Sequence, residues 1–217
     1  MTAAAALQEL LVDLLPGGIA VAVSDECPAN AELLGAEATA AAGMVEARRR
    51  EFAHGRHCAR QALRQLGAPP TSIPKGDDRA PQWPPGIVGS ISHTGSLAAA
   101  VVARTPGFAG VGLDIEAAGL LESDALKLIL RDEEQASYSA ADGRLLFSIK
   151  EAIYKCIYPQ VQRYVDFREM HVTLDPRRER FSARPCLETP ATGLPTRLEG
   201  LYRRTDTYVI SVLWLET

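Results

Sequence analysis

The hydrophobic positions of the chain follow a helical period of about 3.6 residues in several long stretches. The two longest stretches, residues 41–66 and 142–158, predict long helices that end at Gly67 and at Pro159. Glycine favours the backbone turn that ends a helix, and proline removes a helix hydrogen bond. Shorter helices are predicted at residues 3–14 and 123–130, and Ser123 is expected to cap the second of them.

Short apolar and β-branched stretches, separated by turn residues, predict strands between these helices. The predicted strands of the first half are residues 19–24, 87–92 and 97–103, and those of the second half are 111–116, 166–174, 179–184, 197–202 and 208–215. Thr105-Pro106-Gly107 interrupts the pattern in the middle of the chain. The sequence therefore predicts two lobes, residues 1–105 and 106–217, each with one long helix and several strands.

The composition is that of an ordinary globular protein, since 47% of the 217 residues are hydrophobic and 23% are charged. The formal net charge of -4 argues against a nucleic acid as the main partner. No run of residues approaches the roughly 18 apolar positions of a membrane span. The alanine-rich start contains Glu9 and Asp13 and lacks a basic segment, so we do not expect a signal peptide.

The cysteines are too far apart in sequence to predict a metal-binding knuckle or a redox pair. They are Cys27, Cys58, Cys156 and Cys186. We expect free thiols, which are usual in the reducing cytoplasm. The chain is therefore predicted to be a cytoplasmic protein without a membrane partner, and a monomer is the expected state of a two-lobed chain of this length.

Three carboxylates and a lysine are predicted to share two neighbouring faces. Asp114 and Glu116 are two residues apart in a predicted strand, so both side chains leave the same face. Glu151 and Lys155 are four residues apart in a predicted helix, so they also share a face. Three carboxylates held close together repel one another unless a cation lies among them. Hard oxygen ligands suit Mg²⁺ on a substrate phosphate, and lysines suit phosphate oxygens.

The first long helix carries two predicted classes of basic residue. On a helical wheel, Arg48 and Arg56 lie within or at the edge of the apolar stripe. The wheel points five further basic residues of the helix outward: Arg50, Arg60, Arg64, His54 and His57. His54 and His57 have a spacing that could suit a metal, but their outward position among arginines favours ordinary surface residues.

The two inner arginines must find an anion or water, because an unpaired buried charge is costly. Two partners are open at this point: a ligand phosphate, which the planar guanidinium binds well, or an internal acid such as Asp77 or Asp78.

A turn around His93 is rich in hydroxyl groups, contributed by Ser90, Ser92, Thr94 and Ser96. Such a turn can donate several hydrogen bonds to an anion. An isolated turn histidine is also commonly structural or simply exposed, and Lys75-Gly76-Asp77 could be any polar turn.

The motifs taken together resemble the Sfp-type 4′-phosphopantetheinyl transferases, in particular the branch that includes the enterobactin-synthase component. Two core motifs carry the resemblance in the second half: Gly112-x-Asp114-x-Glu116 and Phe147-x-x-Lys150-Glu151-Ala152-x-x-Lys155. The first half adds further matching segments: Arg48-Arg-Arg-Glu-Phe, Gly55-Arg56-His57-Cys58-Ala59-Arg60, Ile73-Pro-Lys75-Gly76-Asp77, Trp83-Pro84 and Ser90-Ile-Ser-His93-Thr94. The similarity therefore covers most of the chain.

The resemblance implies an enzyme that transfers the phosphopantetheine arm of coenzyme A to a serine of an apo acyl or peptidyl carrier protein, with 3′,5′-ADP as the other product. Such carriers serve fatty-acid, polyketide or non-ribosomal peptide synthesis, including siderophores. It also implies an α+β fold of two similar lobes in a pseudo-twofold arrangement, each with a small antiparallel sheet and a long helix, and coenzyme A bound between them.

The resemblance further implies roles for individual residues. Asp114, Glu116 and Glu151 are expected to bind Mg²⁺, with Mn²⁺ as the alternative. Glu151, or a water molecule held with Glu116, is expected to be the general base for the incoming serine. Lys150 and Lys155 are expected to offset charge on the pyrophosphate. The remaining residues expected to bind coenzyme A are Arg48, Arg56, Lys75, Ser92 and His93, of which Arg48 and Arg56 would anchor phosphate.

The loop Gly76-Asp77-Asp78-Arg79-Ala80-Pro81 departs from the pattern common in the family, so the adenine contacts are left open. Two alternative functions also stay open: a coenzyme A-binding regulatory protein without turnover, and a Mg²⁺-dependent nucleotide phosphohydrolase. The first would have no need for three carboxylates and Lys155, and the second would use water as acceptor instead of a carrier serine.

Overall fold

The fold is that of a computed structural model that describes residues 2–28, 31–186 and 194–217. The chain forms two compact units, Met1–Phe108 together with Thr217, and Ala109–Glu216. The division falls close to the Thr105-Pro106-Gly107 stretch that interrupts the sequence pattern. None of the described helices is long and apolar enough to cross a membrane.

The first unit is a three-stranded antiparallel sheet covered by a long helix. Its helices are α1 (Ala3–Leu14), α2 (Ala36–Ala41) and α3 (Glu46–Gln65), and its strands are β1 (Ile19–Ser24), β2 (Ile87–Thr94) and β3 (Leu97–Arg104). The strand order is β1-β3-β2. All residues of β3 except Arg104 are buried, because this strand lies in the centre of the sheet and α3 packs against it.

The second unit is a five-stranded sheet with a second long helix. Its strands are β4 (Phe108–Ala117), β5 (Met170–Asp175), β6 (Arg180–Pro185), β7 (Leu198–Arg204) and β8 (Tyr208–Glu216), and its helices are α4 (Ser123–Ile129), α5 (Asp132–Ser137) and α6 (Gly143–Val161). The strand order is β4-β8-β7-β6-β5, and strands β5 to β8 pair antiparallel. The apolar side of α6 forms the core of this unit with the sheet.

Two glycines of β4 allow α6 to lie directly on the strand. A Cβ atom at Gly110 would overlap the carbonyl oxygen of Cys156, and one at Gly112 would overlap the carbonyl oxygen of Ala152. Any larger residue would therefore push the helix away from the strand. The glycines fix the distance between β4 and α6, the two elements that carry the predicted carboxylates.

The α+β prediction with two small antiparallel sheets is confirmed, but several element boundaries were wrong. Helix α3 begins at Glu46 instead of residue 41, because the preceding alanines form the separate helix α2. Ser123 is the first residue of α4, and Glu122 occupies the N-cap position. Helix α6 continues through Pro159 to Val161, since a proline in the last turn removes only one hydrogen bond. The sequence pattern also missed α5.

Replacing Gly112 by alanine should destabilise the second unit, because the new methyl group overlaps the Ala152 carbonyl oxygen. Overpacking of this kind typically costs about 1–3 kcal/mol. The matched control is Gly43→Ala, since a Cβ at Gly43 meets no atom within 4 Å. Urea denaturation followed by circular dichroism measures both variants, and equal midpoints would show that α6 does not depend on this contact.

Candidate active site

Strand β4 and helix α6 bring the predicted acidic residues and Lys155 together. The ammonium group of Lys155 donates a hydrogen bond to Asp114 Oδ1 at 2.6 Å and another to the Leu113 carbonyl oxygen at 3.3 Å. Asp114 is buried, with only 3% of its surface exposed. The positions of Asp114 on a strand and of Lys155 on a helix thus produce a partly buried ion pair at the contact of the two elements.

Glu116 and Glu151 carry raised pKa values in this environment. Burial raises the pKa of Glu116, and the negative charge of Asp114 raises it further, while Arg144 and Lys155 oppose the rise. Burial also raises the pKa of Glu151, with Lys155 lowering it and Asp114 raising it. Both glutamates therefore feel the charge of Asp114, which is the repulsion expected of carboxylates placed close together.

The donor set fits a hard divalent cation. Mutual repulsion among Asp114, Glu116 and Glu151 would be relieved by a positive ion, and carboxylate oxygens are the ligands that Mg²⁺ prefers. In the part of the chain that the structure describes, no three His, Cys, Asp or Glu side chains are grouped closely enough to hold a metal ion as they stand. Their predicted role as three metal ligands therefore stays a prediction.

Arg144 is a member of this cluster that the sequence reading missed. Its Nη1 donates to Glu116 Oε2 at 3.3 Å, and its Nη2 donates to the Leu120 carbonyl oxygen at 3.2 Å. Arg144 precedes Glu151 by seven residues, so both lie on one side of α6. That spacing was the available signal, and it places a second cationic group, in addition to Lys155, next to the carboxylates.

Lys150 lies in a different environment from Lys155. Its side chain is 1% exposed and donates to Glu134 Oε2 at 2.6 Å and to the Ile129 carbonyl oxygen at 2.8 Å. Burial lowers the pKa of Lys150, and the hydrogen bond that it donates to Glu134 opposes this change. The position does not support the predicted contact with pyrophosphate, because both partners of the ammonium group lie inside the second unit. The spacing of residues along one helix face could not reveal Glu134, which lies on another helix.

In the first unit, α3 and the end of β2 bring Arg48 next to His93. Arg48 Nη1 lies 3.1 Å from His93 Nε2 and 2.9 Å from Glu51 Oε2. The side chain of Arg48 is 59% exposed, so its predicted position on the inner face of the helix is wrong. An exposed arginine beside a histidine is nevertheless a reasonable place for an anion to bind.

Arg56 is a buried cation that forms no salt bridge among the residues that the structure describes. Its residue surface is 6% exposed, its Nε donates to the Ile73 carbonyl oxygen at 2.7 Å, and its Cζ lies 4.1 Å from the centroid of the Phe52 ring. Burial lowers the pKa of Arg56 to about 10, so the guanidinium group stays charged at neutral pH. Its two contacts in the described residues are thus a carbonyl oxygen and a ring face. The choice between a ligand phosphate and an internal acid stays open.

Two residues that the helical wheel pointed outward are buried. Arg60 is 6% exposed and pairs with Glu37 at 2.8 Å, and His54 is also 6% exposed. Burial, followed by the charge of His57, lowers the pKa of His54. The helical-wheel prediction assumed that other elements cover only one side of α3. In the structure, Glu37 of α2 packs against a second side of the helix. His57 is partly buried, and its Nε2 lies 3.4 Å from Gln61 Nε2.

The two other predicted ligand-binding residues of the first unit are Lys75, on the loop between α3 and β2, and Ser92, on β2. Lys75 is partly buried and forms an isolated main-chain bridge with Pro81. Ser92 is buried in β2, opposite Ala99 of β3, and directly precedes His93.

Comparison with known proteins finds two matching family descriptions. Residues 36–103 match the 4′-phosphopantetheinyl transferase N-terminal domain, and residues 110–212 match the 4′-phosphopantetheinyl transferase superfamily. The 4′-phosphopantetheinyl transferase Npt of Nocardia iowensis is 38% identical over 171 residues, which cover 76% of this chain and 77% of the relative. The chain belongs to the 4′-phosphopantetheinyl transferase superfamily.

Other members of the superfamily are also similar to this transferase. PptT of Mycobacterium tuberculosis is 40% identical over 145 residues, or 64% of either chain. Enterobactin synthase component D of Salmonella typhi is 34% identical over 126 residues, which cover 52% of this chain and 50% of the relative. The resemblance stated from the sequence motifs is thereby confirmed, and both the Asp114 cluster and the Arg56 region lie inside the matched segments.

Replacing Lys150 by methionine should destabilise this transferase strongly, because it leaves the fully buried Glu134 carboxylate unpaired. Breaking one side of a buried ion pair typically costs about 3–5 kcal/mol. The matched control is Lys127→Ala, since the Lys127–Asp124 pair is 69% and 89% exposed and such pairs contribute at most about 1 kcal/mol. Chemical denaturation measures both, and an unchanged midpoint for Lys150→Met would return Lys150 to the list of candidate phosphate ligands.

Proposed function

We propose that this protein transfers the 4′-phosphopantetheine arm of coenzyme A to a serine hydroxyl of an apo acyl or peptidyl carrier protein and releases 3′,5′-ADP. The observation that carries the proposal is the contact of Lys155 Nζ with Asp114 Oδ1 at 2.6 Å where α6 packs on β4, together with the effect of Asp114 on the pKa values of Glu116 and Glu151, both of which it raises. Membership of the superfamily and the names of the relatives support the same reaction.

The chemistry requires a base, a leaving group and compensation of negative charge. Glu151, or a water molecule held with Glu116, takes the proton of the serine hydroxyl. The serine oxygen bonds to the phosphorus that carries the pantetheine arm, and the bond from that phosphorus to the bridging oxygen breaks. The bridging oxygen leaves as part of 3′,5′-ADP. A carboxylate base of this kind contributes roughly 10²–10⁴ in rate.

The raised pKa of Glu151 suits it to this role, because a carboxylate with a raised pKa holds a proton more strongly. Lys155 provides a fixed positive charge beside Asp114 that can also stabilise charge developing on phosphate oxygens. Arg144 holds Glu116 in position.

Asp114, Glu116 and Glu151 would hold Mg²⁺ or Mn²⁺ through their carboxylate oxygens. When such an ion is bound, it supplies Lewis-acid stabilisation of the pyrophosphate oxygens.

In the first unit, Arg56, Arg48, His93 and Lys75 would bind the phosphate groups of coenzyme A. Arg56 is the strongest of these candidates, because it is charged, buried and without a salt bridge among the described residues. A buried cation of this kind is stabilised when an anion binds to it. The Arg48–His93 contact provides a second cationic position on the same unit.

The four free cysteines support a reducing cytoplasm as the compartment of the reaction. A monomer acting on whole carrier domains, with no nucleic acid or membrane partner, is part of the same proposal.

The deciding experiment incubates an apo carrier protein with this chain, coenzyme A and Mg²⁺, and measures the intact mass of the carrier. We expect the carrier to gain the mass of one phosphopantetheine arm. We expect no gain in mass when EDTA is present during the incubation. If no peptidyl or acyl carrier gains mass while coenzyme A still binds, a binding protein without turnover is favoured. Release of a hydrolysed product instead would favour the phosphohydrolase.

Asp114→Ala and Glu151→Ala should each abolish carrier modification, because they remove a cation ligand and the candidate base respectively. We expect turnover to fall by at least about 10²-fold with little change in the far-UV circular dichroism spectrum. The matched control is Asp124→Ala, an exposed acid of the same unit that should retain wild-type turnover. Near-normal turnover of either variant at low Mg²⁺ would contradict the assignment.

Arg56→Ala should weaken coenzyme A binding at least about tenfold, because it removes a buried charge available to phosphate. Arg64→Ala is the matched control, since Arg64 is an exposed arginine of the same helix. Titration calorimetry with coenzyme A compares the two dissociation constants, and equal values would exclude Arg56 as a phosphate anchor.

A further inference from the structure

The main chain of Ile73 is held on both sides by buried charged side chains. Its N–H donates to Glu37 Oε1 at 2.7 Å, and its carbonyl oxygen accepts from Arg56 Nε at 2.7 Å. Ile73 itself is 0% exposed. Hydrogen bonds to charged groups are stronger than those between neutral groups, so both main-chain groups of this one residue are firmly placed.

Glu37 is in turn fixed to helix α3. Its carboxylate is 0% exposed and accepts from Arg60 Nη1 at 2.8 Å through each oxygen. Its Oε2 also accepts from the Leu34 N–H at 2.8 Å, and Arg60 Nη2 donates to the Glu32 carbonyl oxygen at 2.6 Å. A buried carboxylate that accepts this many hydrogen bonds is held in one position. Ile73 is therefore tied to α3 twice, through Arg56 directly and through Glu37 and Arg60.

The loop that follows Ile73 is held together by its own hydrogen bonds. Gln82 N–H donates to the Pro74 carbonyl oxygen, and Gly76 N–H donates to the Ala80 carbonyl oxygen, both at 2.9 Å. The turn inside it is closed by Arg79 N–H on the Gly76 carbonyl oxygen and by Ala80 N–H on Asp78 Oδ1, each at 2.9 Å. A loop with a fixed internal shape moves as one body, so its location depends on the residue to which it is attached. That residue is Ile73, two positions before Lys75.

We propose that Glu37 and Arg60 are positioning residues for coenzyme A, acting through Ile73 to hold the Lys75 loop at a fixed place relative to Arg56. The inference rests on the proposed function, in which Arg56 and Lys75 bind phosphate groups of coenzyme A, and the family resemblance implies that Lys75 lies near the adenine and the 3′-phosphate. Loss of the contact to Ile73 leaves both cations present but no longer correctly spaced for one phosphate group. Affinity for that phosphate then falls while the transfer chemistry is unaffected.

The test compares coenzyme A with 3′-dephospho-coenzyme A as substrates of the wild type and of Glu37→Gln, which keeps the size of the side chain but not its charge. We expect the KM for coenzyme A to rise about tenfold, which corresponds to the loss of one charge-assisted hydrogen bond. We expect kcat, and the KM for 3′-dephospho-coenzyme A, to stay within about twofold. A merely structural role would instead change the KM values of both substrates by a similar factor.

A double-mutant cycle identifies the residue through which Glu37 acts. Lys75→Ala should reproduce the selective rise in KM, and adding Glu37→Gln to it should have little further effect. Additive effects of the two changes would overturn the proposal. The matched control is Ser72→Ala, because Ser72 Oγ bonds the Leu34 carbonyl oxygen at 2.7 Å and does not touch the Ile73 main chain.

If Glu37→Gln does not fold, Arg60→Lys tests the proposed positioning role in its place. Lysine keeps the charge beside Glu37 but cannot also reach the Glu32 carbonyl oxygen with a second fixed nitrogen. A smaller, still selective rise in KM for coenzyme A supports the proposal, and an equal rise for both substrates overturns it. If the wild type modifies no carrier, the proposed function fails, and the dissociation constants of the two ligands measured by calorimetry still test the positioning role.

Discussion

The contact between α6 and β4 is the constraint on which the candidate active site depends. Gly110 and Gly112 lack side chains where the carbonyl oxygens of Cys156 and Ala152 approach the strand. This close approach places Ala152, in the middle of α6, against Gly112, next to the strand residues that carry the carboxylates. Lys155 can then reach Asp114 with a 2.6 Å hydrogen bond, and Glu151 lies near enough for Asp114 to raise its pKa. Packing geometry and site chemistry thus depend on the same two positions.

Helix α6 carries two lysines five residues apart that the structure uses in opposite ways. Lys150 is enclosed with Glu134, which also accepts the Val172 N–H at 2.7 Å and so joins α5, α6 and β5. Lys155 is 24% exposed and lies beside a group of carboxylates whose charges are only partly compensated. A fully compensated ion pair maintains a fold, whereas a partly compensated cluster can still accept an ion or a phosphate.

Helix α3 shows the same contrast between two buried arginines four residues apart. Arg60 has a carboxylate partner in Glu37, whereas the contacts of Arg56 in the described part of the chain are a carbonyl oxygen and an aromatic ring. The free energy cost of burying Arg56 is therefore less completely offset within the first unit, and an anionic ligand would offset it further. Ile73 connects the two arginines, since its N–H bonds the partner of Arg60 and its carbonyl oxygen bonds Arg56.

The sequence alone determined the type and approximate position of most helices and strands, the family, and the pairing of Asp114 with Glu116 and of Glu151 with Lys155 on shared faces. These features depend on the side-chain period of a single helix or strand. That period can be read directly from residues that are close together in the sequence. Only the tertiary structure decided which lysine joins the carboxylates, that Arg60 and His54 are buried, and that Arg56 has no acidic partner among the described residues. Those outcomes depend on which distant segment covers a given side of a helix. Glu37 and Glu134 lie 23 and 16 residues from the cations they bind, and no local period encodes such a pairing.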